Sequence, residues 1–206
     1  SALQLAYLYR NMGKDREAQE MAAAGEKIVR ETNLGRLKDD LLYFRAESAF
    51  LQKKYGDAIG HLSQMTESGY RVDLLRGQAL LESGLAQDAL QSLERAALES
   101  PDDDARNTCI FFIVQHLVKA KRFDQALTEL GRIRDASQSL ESQIRPLRAL
   151  AYFEIGRYPD AAREYAALAA GSPDPRDARR YRYFSVLADF KDKNFSWAEK
   201  LLADIS

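Results

Sequence analysis

The sequence predicts an all-α protein built as a stack of antiparallel helix pairs, and three observations predict it. Apolar residues recur near the 3.6-residue helical period along the chain, no stretch offers a competing strand signal, and one turn pattern returns six times at the spacing of a helical hairpin. The clearest copy is EIGRYPDAAREYAAL, Glu154 to Leu168, where a glycine and a proline interrupt an otherwise continuous amphipathic helix. Glycine costs roughly 1 kcal/mol and proline about 3 kcal/mol in a helix interior, yet proline is tolerated in the first turn, where its missing N–H has no partner anyway. The stretch therefore reads as two helices. The first ends near Ile155 with Gly156 free to take a positive φ, and the second begins close to Pro159.

The remaining elements follow in chain order once each turn is aligned on one alanine early in the second helix. MGKDREA, ending on Ala18, joins helices expected over 2–12 and 15–31, and KKYGDA, ending on Ala58, joins 37–52 to 56–67. SGLAQDA, ending on Ala89, joins 71–83 to 87–99. After Glu99-Ser100 the segment PDDDARN supplies a proline that stops one helix and aspartates that cap the next, over 104–120. AKRFDQA, ending on Ala126, leads into 124–135, and IGRYPDA, ending on Ala161, joins 140–155 to 159–170. GSPDPRDA, Gly171 to Ala178, is a second stop-and-cap segment before 176–192, and DKNFSWA, ending on Ala198, leads into a twelfth helix over 195–205. The alanines lie 40, 31, 37, 35 and 37 residues apart, so six hairpins are expected.

These six in-phase turns resemble the tetratricopeptide repeat family, whose unit is a pair of antiparallel helices of about 34 residues. The resemblance covers nearly the whole chain. An aromatic three residues before the alanine occurs as Tyr55, Phe123, Tyr158 and Phe195, with Asp15 and Ala86 departing. The family's small residue twelve before the alanine is matched by Ala6, Ala46, Gly77 and Ala149, whereas Val114 and Val186 depart, so the fourth and sixth pairs are expected to pack less closely. The family's proline twelve after the alanine is matched by Pro101 and Pro173 alone. A small residue at a helix crossing has a plain physical role, because it lets two backbones approach at the short end of the usual separation of about 8–10 Å. The resemblance implies a right-handed α-solenoid of about twelve helices, in which neighbouring pairs cover one another's apolar stripes.

Composition narrows the function. The 206 residues are 46% hydrophobic and 30% charged, which suits a folded chain with a sizeable core. Thirty basic residues against thirty-one acidic ones give a net charge of −1, so no global field favours nucleic acid or an anionic membrane. The apolar run CIFFIV is too short to span a bilayer, and Cys109 within it, the single cysteine, reads as a core thiol. A soluble compartment, cytoplasmic or periplasmic, is expected, and one cysteine does not choose between them. The chain opens on SALQLAYLY, with neither Met nor a basic leader and apolar stretch, and is read as one repeat domain, 1–206, cut from a longer parent.

A search for catalytic constellations gives nothing to build on. His61 and His116 are isolated, Cys109 has no base nearby in sequence, and Asp102, Asp103 and Asp104 lack the glycine and spaced ligands of a calcium loop and read as a helix cap. No glycine-rich phosphate loop or nucleophile elbow occurs. Neither enzyme activity nor a metal or cofactor is expected.

The resemblance instead implies a groove lined by the first helices of successive pairs, which in the family binds peptides or partner proteins. Carried over position by position, its lining is Leu3 and Tyr7; Tyr43, Glu47 and Phe50; Arg71, Leu74, Gln78 and Leu81; Thr108, Phe111, Gln115 and Val118; Gln143, Pro146, Leu150 and Phe153; and Arg180, Tyr183, Leu187 and Phe190. These aromatics are expected to grip an apolar or helical segment, with Phe111 and Tyr183 the positions to test. The lysine-and-asparagine set with which some members hold a terminal carboxylate is missing: Leu3, Tyr7, Phe44, Arg71 and Leu75 stand there, with one cation among them.

Arginines are the remaining signal. Arg45, Arg76 and Arg148 fall thirteen residues before the aligned alanine and are expected to bury their stems while the head groups reach a carboxylate or solvent. Arg176, Arg179, Arg180 and Arg182 crowd the start of the eleventh helix, where cations oppose the helix dipole, and this suggests an acidic partner segment. Two functional classes result. One is a protein-interaction scaffold within a larger assembly such as an envelope, secretion or export machine. The other is a structural spacer or self-association arm acting through the last helix, whose Leu201, Leu202 and Ile205 have no polar capping helix after them.

Overall fold

The structure, a computed structural model, describes residues 2–32 and 35–193. The chain divides into two compact units, residues 1–101 and 102–206, and each is described by itself. The first holds α1 (Ala2–Asn11), α2 (Asp15–Thr32), α3 (Gly35–Leu51), α4 (Tyr55–Ser63), α5 (Tyr70–Glu82) and α6 (Ala86–Leu98). The second holds α7 (Asp103–Lys119), α8 (Phe123–Leu130), α9 (Gln138–Glu154), α10 (Tyr158–Gly171) and α11 (Pro175–Lys191). No strand occurs among the described residues. The expected twelfth helix, with Phe195, Ala198, Leu201, Leu202 and Ile205, lies outside them.

Consecutive helices pack as hairpins in both units. In the first, α1 lies on α2, α3 on α4 and α5 on α6, while α2 on α3 and α4 on α5 link the pairs and α3 also meets α5. In the second, α7 lies on α8, α9 on α10 and α10 on α11, with α8 on α9 and a direct meeting of α7 and α9.

The turns share one backbone device. The residue five before the aligned alanine has a positive φ at Gly13 (71°), Lys53 (60°), Gly84 (80°), Lys121 (58°) and Gly156 (80°), and so has Lys193 (62°), the last described residue. In the hairpin of the opening sequence, Gly156 N–H donates to the Phe153 carbonyl at 3.1 Å and Arg157 N–H to the Tyr152 carbonyl at 2.9 Å. This pairing satisfies carbonyls that a helix end otherwise leaves without donors. Lys53 and Lys54 reproduce it on Phe50 and Ala49 at 2.8 and 2.9 Å.

The alanine register is the seam of the described hairpins. Ala18, Ala58, Ala89, Ala126 and Ala161 are buried, and so are the small residues twelve positions earlier, Ala6, Ala46, Gly77 and Ala149. At Gly77 the close approach is strict: a Cβ there would lie 2.6 Å from Leu93 Cγ and 2.8 Å from its Cδ2, and Leu93 is itself fully buried. The departing residues Val114 and Val186 are buried at the same register.

The three arginines thirteen residues before the alanine each reach a carboxylate. Arg45 pairs with Glu26, Arg76 with Asp73 at 2.6 Å, and Arg148 with Glu164 at 3.1 Å and Glu141 at 2.7 Å. Asp73 is 1% exposed and also accepts from Arg95 Nη2 at 3.2 Å, which ties α5 to α6. Capping also follows the sequence, with Asp102 accepting from Ala105 N–H at 2.7 Å and Asp174 from Arg176 N–H at 2.8 Å.

Two helices end earlier than their periodicity predicts. The helix expected to 67 stops at Ser63, because Asp39 on α3 accepts from Thr66 N–H at 3.1 Å, Thr66 Oγ1 at 2.6 Å and Glu67 N–H at 2.9 Å. The helix expected to 135 stops at Leu130. There Asn107 on α7 donates through Nδ2 to the Arg134 carbonyl at 2.7 Å and accepts from Arg134 N–H at 3.4 Å. Asp39 and Asn107 occupy the same register, nineteen residues before the aligned alanine, and both reach 27 residues forward.

Candidate protein-interaction surface

Four of the expected groove residues come together in the first unit. Tyr7 on α1, Tyr43 and Glu47 on α3, and Arg71 on α5 form one connected cluster, which Arg10 on α1 joins, with Glu47 the group that both arginines reach. Arg10 Nη2 donates to Glu47 Oε2 at 3.0 Å, and Arg71 Nη2 lies 3.8 Å from Glu47 Oε1. The Arg10 guanidinium stacks 4.9 Å above the Tyr7 ring and 5.0 Å from that of Phe44, and Tyr7 meets Phe44 edge-to-face at 4.9 Å. Arg71 covers the Tyr43 ring at 4.6 Å and keeps 69% of its side chain exposed. Helical geometry explains the assembly: Tyr7 and Arg10 are three residues apart and Tyr43 and Glu47 four, so each pair shares a helix face.

Burial and the Glu47 charge push the Tyr43 hydroxyl up to about 12, and the same two causes raise Tyr7. Both phenols therefore stay neutral and can donate. Sequence reasoning missed Arg10, although its signal was present: it lies eight residues before Ala18, the offset that Phe50, Leu81, Val118, Phe153 and Phe190 have from their own alanines.

Other expected residues are occupied within their hairpins. Phe50 meets Tyr55 edge-to-face at 5.5 Å and Phe153 meets Tyr158 at 5.6 Å, so each also holds its own turn. Leu74 and Gln78 on α5 are half-buried. Phe111, expected in the groove lining, is only 9% exposed, because α7 is apolar on most of its circumference, with Cys109, Ile110, Ile113, Val114 and Leu117 also buried. Gln115 on the same helix is exposed.

In the second unit α11 presents Arg180, Tyr183, Leu187 and Phe190 along one face. Tyr183 is 61% and Phe190 56% exposed, while Leu187 is half-buried. Arg180 pairs with Asp177 at 3.2 Å and covers the Tyr181 ring at 5.1 Å. Beside it lies an open cavity of about 650 Å³ between α9, the end of α10 and the start of α11.

The candidate chemistry-bearing groups remain apart. His61 and His116 are each partly buried, and burial, followed by Arg45 for the first and Arg122 for the second, lowers their pKa values. Cys109 is fully buried. Among the described residues no group of three His, Cys, Asp or Glu side chains is placed to hold a metal ion, and no helix is long and apolar enough to cross a membrane.

No model of a known protein family matches the chain, and no curated protein matches it. Its fold is similar to that of a tetratricopeptide repeat protein from Parabacteroides merdae, with a TM-score of 0.60 at 15% identity over 99% of this chain and 77% of that one. The repeated turn, the alanine seam and this likeness agree that the chain has a tetratricopeptide-repeat fold, an all-α array of consecutive helical hairpins.

Proposed function

We propose that the chain is a protein-interaction scaffold that takes a segment of a partner protein against the face formed by α1, α3 and α5. The observation that carries this reading is the Tyr7–Arg10–Tyr43–Glu47–Arg71 cluster, in which rings and guanidinium groups from three successive first helices are held against one another. Tyrosine and arginine are the side chains that dominate protein interfaces, because each combines a large contact area with directed hydrogen bonds. Here their conformations are already restricted, so less side-chain entropy is lost on binding. The larger assembly to which such a partner belongs, in an envelope, secretion or export setting, is part of the same proposal. The chain is assigned no catalytic role.

The test is affinity capture from the native source with the wild-type chain and with Tyr43→Ala combined with Arg71→Ala. A partner retained by the wild type and reduced at least about tenfold by the folded variant supports the reading. Equal retention would remove this face from consideration.

A structural role is favoured by one observation. Leu5, Leu8 and Met12, at i, i+3 and i+7 on the first turns of the chain, are all exposed. Solution mass measured against concentration separates the two: a concentration-dependent dimer lost in Leu8→Glu supports self-association, and a monomer at all concentrations excludes it.

A further inference from the structure

The start of α11 carries more positive charge than its own stability explains. Arg176, Arg179, Arg180 and Arg182 stand in two turns of a helix whose N-terminal dipole end disfavours cations. Only Arg180 is paired by a carboxylate among the described residues, Asp177, and Arg176, Arg179 and Arg182 are exposed. Two carboxylates on the neighbouring helices α9 and α10 do not offset this excess. Glu141 and Glu164 on α9 and α10 are already shared by Arg145 and Arg148, at 3.2 and 2.7 Å to Glu141 and 3.6 and 3.1 Å to Glu164. Asp174 is engaged as the helix cap.

On a helical wheel Arg176 and Arg180 share the face that continues through Tyr183 and Leu187, with Arg179 at its edge, while Arg182 lies round the side. Arg180 lies against Tyr181 and Asp177, two residues that line the 650 Å³ cavity, and Arg145 lines the opposite wall. The floor between them is apolar, supplied by Ala167, Leu168 and Pro173. Ser142, exposed on α9, lines it too. The site thus sets Arg176, exposed and without a carboxylate among the described residues, and Arg180, paired with Asp177 alone, beside a recess with an apolar floor.

We infer that this surface takes an acidic peptide segment of a partner protein, with its carboxylates on Arg176 and Arg180 and one large apolar side chain in the cavity. The inference deepens the scaffold reading by naming the partner chemistry of a second surface, and it rests on that reading. Guanidinium forks suit carboxylates through charge-assisted and often bidentate hydrogen bonds, and the apolar recess adds the anchor that charge alone lacks.

Random peptides displayed on phage are selected on the full chain, and the enriched sequences are made as fluorescent peptides for titration. Enriched peptides are expected to be net acidic with one aromatic or large aliphatic residue, and to bind more weakly as salt rises. Arg180→Glu is expected to weaken them about tenfold or more through like-charge repulsion, whereas Arg182→Glu, the same charge change off the face, leaves them within about threefold. Ser142→Trp, which fills the cavity from an exposed position, is expected to weaken them similarly. Helicity of each variant is confirmed first. Peptides without acidic bias, or affinity indifferent to Arg180→Glu and salt, would overturn the inference. Peptides lost with Tyr43→Ala and Arg71→Ala but not with Arg180→Glu would overturn it while leaving the scaffold reading in place, and failure to enrich any peptide would count against both.

Discussion

The carboxylate of Asp39 accepts a 2.6 Å hydrogen bond from the hydroxyl of Thr66, 27 residues further along the chain. It adds the amides of Thr66 and Glu67 to the same group and so pins the loop after α4 to the first helix of the hairpin. Asn107 does the same for Arg134 in the second unit. A side chain of the first helix thereby decides where the second helix stops.

Asp39 gives a pH-dependent prediction. Burial alone would raise its pKa, but the Thr66 hydroxyl, the two amides and the nearby Lys38 charge outweigh it and hold the carboxyl below its ordinary value of 3.8. A carboxyl that titrates lower in the folded state stabilises fully above that value, and the contribution is lost as pH falls toward the folded pKa. Asp39→Asn, which sets an NH₂ group among donors, is expected to cost about 1–3 kcal/mol at neutral pH. The gap from wild type should narrow below pH of about 4, as urea titrations at several pH values will show. A gap independent of pH would show that the charge of Asp39 is not the operative feature.

Gly77→Ala should destabilise despite the better helix propensity of alanine. The added methyl meets Leu93 Cγ at 2.6 Å, and Leu93 has no open space to enter. Overpacking of this kind costs about 1–3 kcal/mol, against a propensity gain of about 1 kcal/mol. A lower urea midpoint is expected, and because Leu93→Ala removes the clashing atoms, Gly77→Ala combined with Leu93→Ala should lose less stability than the sum of the two single losses.

The lysines with positive φ give the opposite sign. Lys53 and Lys121 adopt the left-handed conformation at 60° and 58°, where an L side chain costs about 1–2 kcal/mol. Lys53→Gly and Lys121→Gly remove that cost and pay back part of it in unfolded-chain entropy, for a net gain of about 0.5–1 kcal/mol each. Gly84→Ala and Gly156→Ala, at the same register, should each lose about 1 kcal/mol or more. Thermal unfolding of the four variants checks both signs.

Asp73 is the buried charge whose removal should cost most. At 1% exposure it neutralises Arg76 and Arg95 between α5 and α6. Both arginines retain a path to solvent, so Asp73→Ala is expected to lose about 2–3 kcal/mol, the lost charge-assisted hydrogen bonds rather than a stranded ion pair. A loss under about 0.5 kcal/mol would show that the pair contributes nothing net.

The alanine register, the turn glycines and the arginines thirteen residues before three of the alanines were legible because each depends on one local rule: close backbone approach, positive φ, or a long stem with a charged head. Ala58, Gly156 and Arg148 show the three in turn. The ends of α4 and α8 were not legible, since Asp39 and Asn107 act across 27 residues and look in sequence like ordinary residues near a helix start. Phe111 was placed in the groove by the resemblance, and its burial was not legible because α7 is apolar on most sides. Of the candidate surface, Tyr7, Tyr43, Glu47 and Arg71 were carried over from the family resemblance, and Arg10 was not, although its offset from Ala18 marks it.

Hydrogen–deuterium exchange of the chain with and without a captured partner tests the central claim most directly. The scaffold reading predicts that the partner adds protection along α1, α3 and α5, around Tyr7, Tyr43 and Arg71, and leaves α2, α4 and α6 as they were. New protection confined to α2, α4 and α6 would contradict it.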